Sequence, residues 1–179
     1  QSRRRLVQRR LRRLVIKARQ RRGLGQGQPD GEGQLARLVV GGAQLLEAAP
    51  DLGRDEQTLR KIPGIGPVAA RTLLALLPEL GQLGPKQAAS LAGLAPQARD
   101  SGQHRGKRHI RGGRAILRQA LYMPALVATR YNADMKAKYQ AMTAAGKPAK
   151  VAITAVMRKL IILANALLRA NRPWTQNMA

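Results

Sequence analysis

Apolar positions along this chain recur at spacings of three and four rather than in alternation, so the elements it predicts are helices. Between residues 2 and 22, Leu6, Val7, Leu11, Leu14, Val15 and Ala18 form one such stripe, set among ten Arg and one Lys with no acid. Like charges at these spacings fray an isolated helix. The stretch therefore reads either as a helix that orders against a phosphate backbone or as a disordered basic arm. Residues 23–34, GLGQGQPDGEGQ, hold five glycines and a proline and read as a linker. Apolar density returns over residues 35–49, where Gly41-Gly42 interrupts a weak helix.

Beyond Pro50 the punctuation sharpens. Asp55 is placed to N-cap a short helix carrying Leu59 and ending before Pro63, because the residue before proline disfavours helical backbone. Pro67 suits a first helical turn, and Val68, Ala69, Leu73, Leu74 and Leu77 predict an amphipathic helix to about Leu80. A short helix is expected from Pro85 to about Ala92. Then Ile116, Leu117, Ala120, Leu121, Val127 and Ala128 define a long one with Pro124 inside it. Asn132 is a cap for the next, which Gly146 ends, and Pro148 opens a last helix carrying Val156, Leu160, Leu163 and Leu167. No strand is predicted. The expected organisation is a basic arm (1–22), a Gly-rich linker with a weak helix (23–54) and an all-α domain (55–179).

Charge changes the picture. With 33 Lys+Arg against 9 Asp+Glu, the formal net charge is +24, an excess that makes a polyanion, nucleic acid first, the expected partner. A membrane surface is a poorer candidate, since aromatics are 2% and Phe is absent, leaving few interfacial anchors. The strongly apolar run 160–168 contains Asn165 and is too short to span a bilayer. The basic N-terminus lacks the apolar run of a signal peptide, so a cytoplasmic, nucleoid-associated location is expected. There are no cysteines, which excludes thiol nucleophiles, disulfides and thiolate metal sites.

Two stretches carry candidate chemistry. Leu59-x-x-Ile62-Pro63-Gly64-Ile65-Gly66-x-x-x-Ala70 has the pattern of a helix-hairpin-helix. Its glycines allow a tight turn that offers backbone N–H groups to an anion at a helix start, holding a DNA phosphate without reading bases. Lys61 and Arg71 flank it. A plain turn between packed helices is the competing reading.

The second stretch is the basic loop from Arg99 to Arg114, in which a single hydroxyl, Ser101, stands beside Gly102. Attack on a phosphodiester puts extra negative charge on the phosphorus oxygens, and cations aimed there answer it. Arg99, Arg105, Lys107, Arg108, Arg111, Arg114 and Arg118 could supply them, the last three at spacings that would stack them on one helix face. By spacing alone, a Ser-Gly pair in such a basic loop is usually just a loop. His104 and His109 read as phosphate contacts more readily than as a general acid and base. The scattered acids Asp51, Asp55, Glu56 and Glu79 offer no two-metal site.

The ordered blocks IPGIGPVAA, SLAGLAPQARDSG, RGKRHIRGGRAILRQALYMPAL, AAGKPAKVA and MRKLIILANALL, over about residues 55–174, resemble the C-terminal part of a family of insertion-sequence transposases. This is the one-hundred-ten/one-hundred-sixteen/nine-hundred-two family, relatives of the Piv-type DNA invertases. The resemblance implies that Ser101, in Asp100-Ser101-Gly102, is a nucleophile forming a phosphoserine link to DNA. It further implies a separate RNase-H-like domain whose acids bind Mg2+, a structured bridge RNA and a homo-oligomer. Gln97 and Lys138 depart from the family's aromatics, and Pro124 stands where alanine is more usual. No cofactor is expected in this chain itself. Without the metal-binding acids it is expected to be inactive alone, either the serine-bearing part of a transposase or a non-enzymatic nucleic-acid-binding remnant.

Overall fold

The computed structural model describes residues 50–98, 100–102, 106 and 108–175, so the arm and most of the linker lie outside the described residues. Among the described residues six helices and one two-stranded ladder follow in order: α1 (Pro50–Arg60), α2 (Pro67–Leu76), α3 (Pro85–Leu91), β1 (Pro96–Gln97), β2 (His109–Ile110), α4 (Ala115–Tyr131), α5 (Ala133–Ala144) and α6 (Ala149–Ala170). The domain is all-α, as the periodicity predicts.

The differences lie at the ends of elements. α1 starts at Pro50, so Asp55 sits inside the helix rather than at its cap. α2 stops at Leu76, short of Leu80, because Leu77 precedes Pro78 and leaves the helical region at φ −131°, ψ 69°. Asn132 does cap α5, accepting from the Met135 N–H at 3.3 Å. β1 and β2 pair antiparallel, Pro96 opposite Ile110 and Gln97 opposite His109. Two residues per strand are too few to leave a pattern in a sequence.

α6 is the helix around which the others pack. It touches α1, α3, α4 and α5, while α4 and α5 pack on each other and α2 packs on α1 and α4. Val156, Leu160, Ile161 and Ala164 of α6 are fully buried with Leu117, Leu121, Met135, Leu59 and Leu73. Each such large side chain contributes roughly 1.5–3 kcal/mol by leaving water. The helix runs 22 residues, well past the apolar run 160–168, and by length and composition it is apolar enough to cross a membrane. Its packing on four partners is that of a core helix instead.

A polar clamp holds the turn after α2. The Asn165 side chain, 2% exposed on α6, accepts from the Gly81 N–H at 2.9 Å and donates to the Leu83 carbonyl at 2.7 Å. Within the sequence, Asn165 is only a blemish in an apolar run. Asn165→Leu should leave both backbone groups without partners and lower stability by about 2 kcal/mol or more, read from a urea titration.

Candidate nucleic-acid interface

The turn between α1 and α2 forms for a packing reason. Leu59, Ile62, Ile65 and Ala70, the apolar positions of the hairpin pattern, are all buried. Successive turns are closed by Ile62 N–H to Leu59 O (3.0 Å) and Ile65 N–H to Ile62 O (2.9 Å). Gly64, at φ +107°, lies against α4: a Cβ there would come within 2.7 Å of Ala128 Cβ and 2.8 Å of the Pro124 carbonyl oxygen. Thus Gly64 and Ile65 face the fold, and Gly66 faces out. Gly66 is the N-cap of α2, followed by Pro67 at the first position, and no side chain caps this end. Val68 in the first turn is 61% exposed. Uncapped amides at an exposed helix start are the part of the hairpin open to an anion.

The flanking cations divide. Lys61 is exposed and shares a shallow recess with Gln57 and Arg60. Arg71 instead donates from Nε to Glu56 at 3.1 Å, so its charge is answered within the protein.

The basic loop leaves the end of α3 and returns to the start of α4. Its two feet touch through backbone alone. A Cβ on Gly113 would lie 2.2 Å from the Gly93 nitrogen and 2.8 Å from the Leu91 carbonyl oxygen, and that carbonyl accepts from the Arg114 N–H at 2.8 Å. Arg114 forks its guanidinium onto the Glu79 carboxylate, at 3.0 Å on each arm, and adds a 2.7 Å bond to the Leu76 carbonyl. Arg118 donates from one nitrogen to the carbonyls of Gly112 (3.1 Å) and Gly93 (3.4 Å). Arg111 precedes α4, separated from it by Gly112 and Gly113 at φ +73° and +66°, so the expected stacking of Arg111, Arg114 and Arg118 on one helix does not occur. Glycine's left-handed backbone breaks the helical register there.

Ser101 is exposed, and none of the described residues lies within 4 Å of where a Gly102 Cβ would stand. Asp100 Oδ1 accepts from the Gly106 N–H at 3.2 Å. Arg108 and Arg111 are exposed and make no ion pair among the described residues. Arg99, His104, Arg105 and Lys107 lie outside the described residues, and His109 is exposed on β2. No three of His, Asp or Glu gather among the described residues to hold a metal.

Both features lean on α4. The hairpin meets it at Pro124 and Ala128 and the loop is fixed at Arg114 and Arg118, ten residues apart, or about 15 Å along the axis. The four positions fall within about 120° around the helix. Sequence reasoning missed Glu79 and Asn165, because their partners lie far along the chain.

In class, then, this is an all-α domain presenting an exposed helix start and a basic, hydroxyl-bearing loop from one supporting helix. Residues 56–140 match the profile described as Transposase IS116/IS110/IS902 family, and this part of the chain belongs to that family. Pilin gene-inverting proteins are similar over 75% of the chain, at 38% identity in Moraxella bovis and 36% in Moraxella lacunata. The chain spans 43% of the length of each.

Proposed function

We propose that this chain is the DNA-holding, serine-bearing part of a recombinase that breaks and rejoins DNA through an ester to Ser101. The observation that carries this reading is the exposed Ser101, beside the open side of Gly102, in a loop whose Arg108 and Arg111 are exposed and without ion-pair partners among the described residues. The serine oxygen attacks a phosphodiester phosphorus. One Oγ–P bond forms as one P–O bond to the DNA breaks, the serine proton passes to a base, and the departing sugar oxygen gains a proton. A strand hydroxyl reverses the exchange to complete joining. Arg108 and Arg111 answer the charge developing on the phosphorus oxygens. The uncapped start of α2 at Gly66, with Lys61 beside the hairpin, holds a neighbouring phosphate.

The roughly 15 Å between hairpin and loop footing matches about four base-pair steps of duplex at 3.4 Å each. The described residues gather no metal-binding cluster, and Mg2+ belongs in this proposal to a separate RNase-H-like domain. A bridge RNA and a homo-oligomer belong to the same proposal, and the charge of +24 is suited to a second polyanion.

Full-length protein incubated with nicked target DNA should yield a species that stays joined through denaturation. Its absence under conditions that support recombination would refute the serine reading. A non-enzymatic binding module is the second reading, favoured by the completeness of the hairpin within this chain. On that reading no joined species forms and Ser101→Ala alters nothing. For either, Arg111→Ala should lower the slope of log affinity against log salt by about 1.

A further inference from the structure

We propose that Arg118, supported by Arg114, is a positioning residue that closes the base of the hydroxyl loop, rather than a DNA contact. The inference rests on the reading of Ser101 only for its catalytic consequence; the closure itself is a matter of geometry. One Arg118 nitrogen donates to Gly93 O, on the segment leaving α3, and to Gly112 O, on the segment returning to α4. It therefore ties the outgoing strand to the returning one. No other described side chain bridges these two feet.

The feet can meet only because both are glycine: a Cβ on Gly93 would lie 2.3 Å from the Gly112 oxygen and 2.5 Å from the Arg118 guanidinium itself. The guanidinium thus fills the space beside the bare backbone and satisfies carbonyls that the close approach leaves without strand partners. Arg114 holds the next turn. Its N–H goes to Leu91 O, and its guanidinium is neutralised by Glu79 in a two-armed pair. A phosphate that recruited Arg114 would have to break that pair and release Leu76 O as well. Both arginines are thereby committed to orientation, while Arg108 and Arg111 on the outer side remain open. The reacting hydroxyl gains from this because a displacement of about 1 Å costs on the order of a hundredfold in rate.

The test uses the full-length protein with Arg118→Ala, Arg118→Lys and, as a phosphate-contact control, Arg111→Ala. Three quantities are read: the salt slope of DNA affinity, hydrogen exchange across residues 94–114, and the rate of the joined species at saturating DNA. Arg118→Ala is expected to leave the slope unchanged, speed exchange in the loop about tenfold and slow joining about tenfold. Arg118→Lys, whose ammonium can still reach the two carbonyls, recovers most of both. A slope lowered by about 1 in Arg118→Ala, with exchange unchanged, would show a phosphate contact and overturn the proposal. Loss of the fold in Arg118→Ala transfers the decision to Arg118→Gln, which removes the charge and keeps an N–H donor: an unchanged slope supports the proposal and a slope lowered by about 1 overturns it. If wild-type protein forms no joined species, the serine reading fails, yet slope and exchange still decide the role of Arg118.

Discussion

Ser101→Ala is expected to abolish strand joining, by about 10⁴-fold or more, while leaving DNA affinity and thermal stability within error of wild type. The size of the effect follows from the chemistry. A phosphodiester resists attack by water, and binding alone cannot replace the atom that forms the new ester. The selectivity follows from placement: Ser101 is exposed and outside every helix, so its hydroxyl is no part of the core. Rates should be taken on full-length protein with single-turnover DNA, and affinity on the same preparation. A folded variant that joins DNA within tenfold of wild type would remove Ser101 from the reaction.

Gly113→Ala should be the most damaging single-carbon change in the described fold. The added carbon would meet Gly93 N at 2.2 Å, Gly93 Cα at 2.4 Å and Leu91 O at 2.8 Å, all backbone atoms that no rotamer change can clear. Gly113 also stands at φ +66°, where alanine is disfavoured by roughly 1–2 kcal/mol before any contact is counted. With overpacking at about 1–3 kcal/mol, the total is about 3 kcal/mol. Part of that strain will be relieved by the loop's feet moving apart, which breaks the Arg114 N–H to Leu91 bond and the Arg118 bridge together. The expected result is a lower denaturant midpoint accompanied by rapid exchange of the Arg114 amide. Gly102→Ala is the contrast: its left-handed backbone carries the same intrinsic penalty, but its Cβ meets no atom of the described residues.

What the sequence discloses and what it hides divide along sequence separation. The helices of the domain are legible because each is written locally, in apolar spacing, a proline at the first turn of α2 and α3, or the Asn132 cap. Even the stop of α2 at Leu77-Pro78 is a local rule, overlooked because apolar residues continue to Leu80. The hairpin is legible for the same reason, its buried positions lying within a dozen residues. By contrast, Glu79 reaches Arg114 across 35 residues and Asn165 reaches Gly81 across 84, and nothing near either residue announces the partner. This is why Arg114 reads as a surface cation in sequence although the structure pairs it with Glu79. A count of charges cannot tell an arginine that awaits a phosphate from one already satisfied.

The most direct test of the central claim is to locate the protein–DNA bond. Full-length protein trapped on nicked DNA would be denatured, trimmed with nuclease and digested with trypsin. Cleavage after Arg99 and Arg105 releases residues 100–105, DSGQHR, in which Ser101 is the only hydroxyl side chain. The account predicts a nucleotide phosphate on this peptide, assigned to Ser101 by fragmentation. A nucleotide found instead on another peptide, such as one bearing Ser90 or Tyr122, would contradict it.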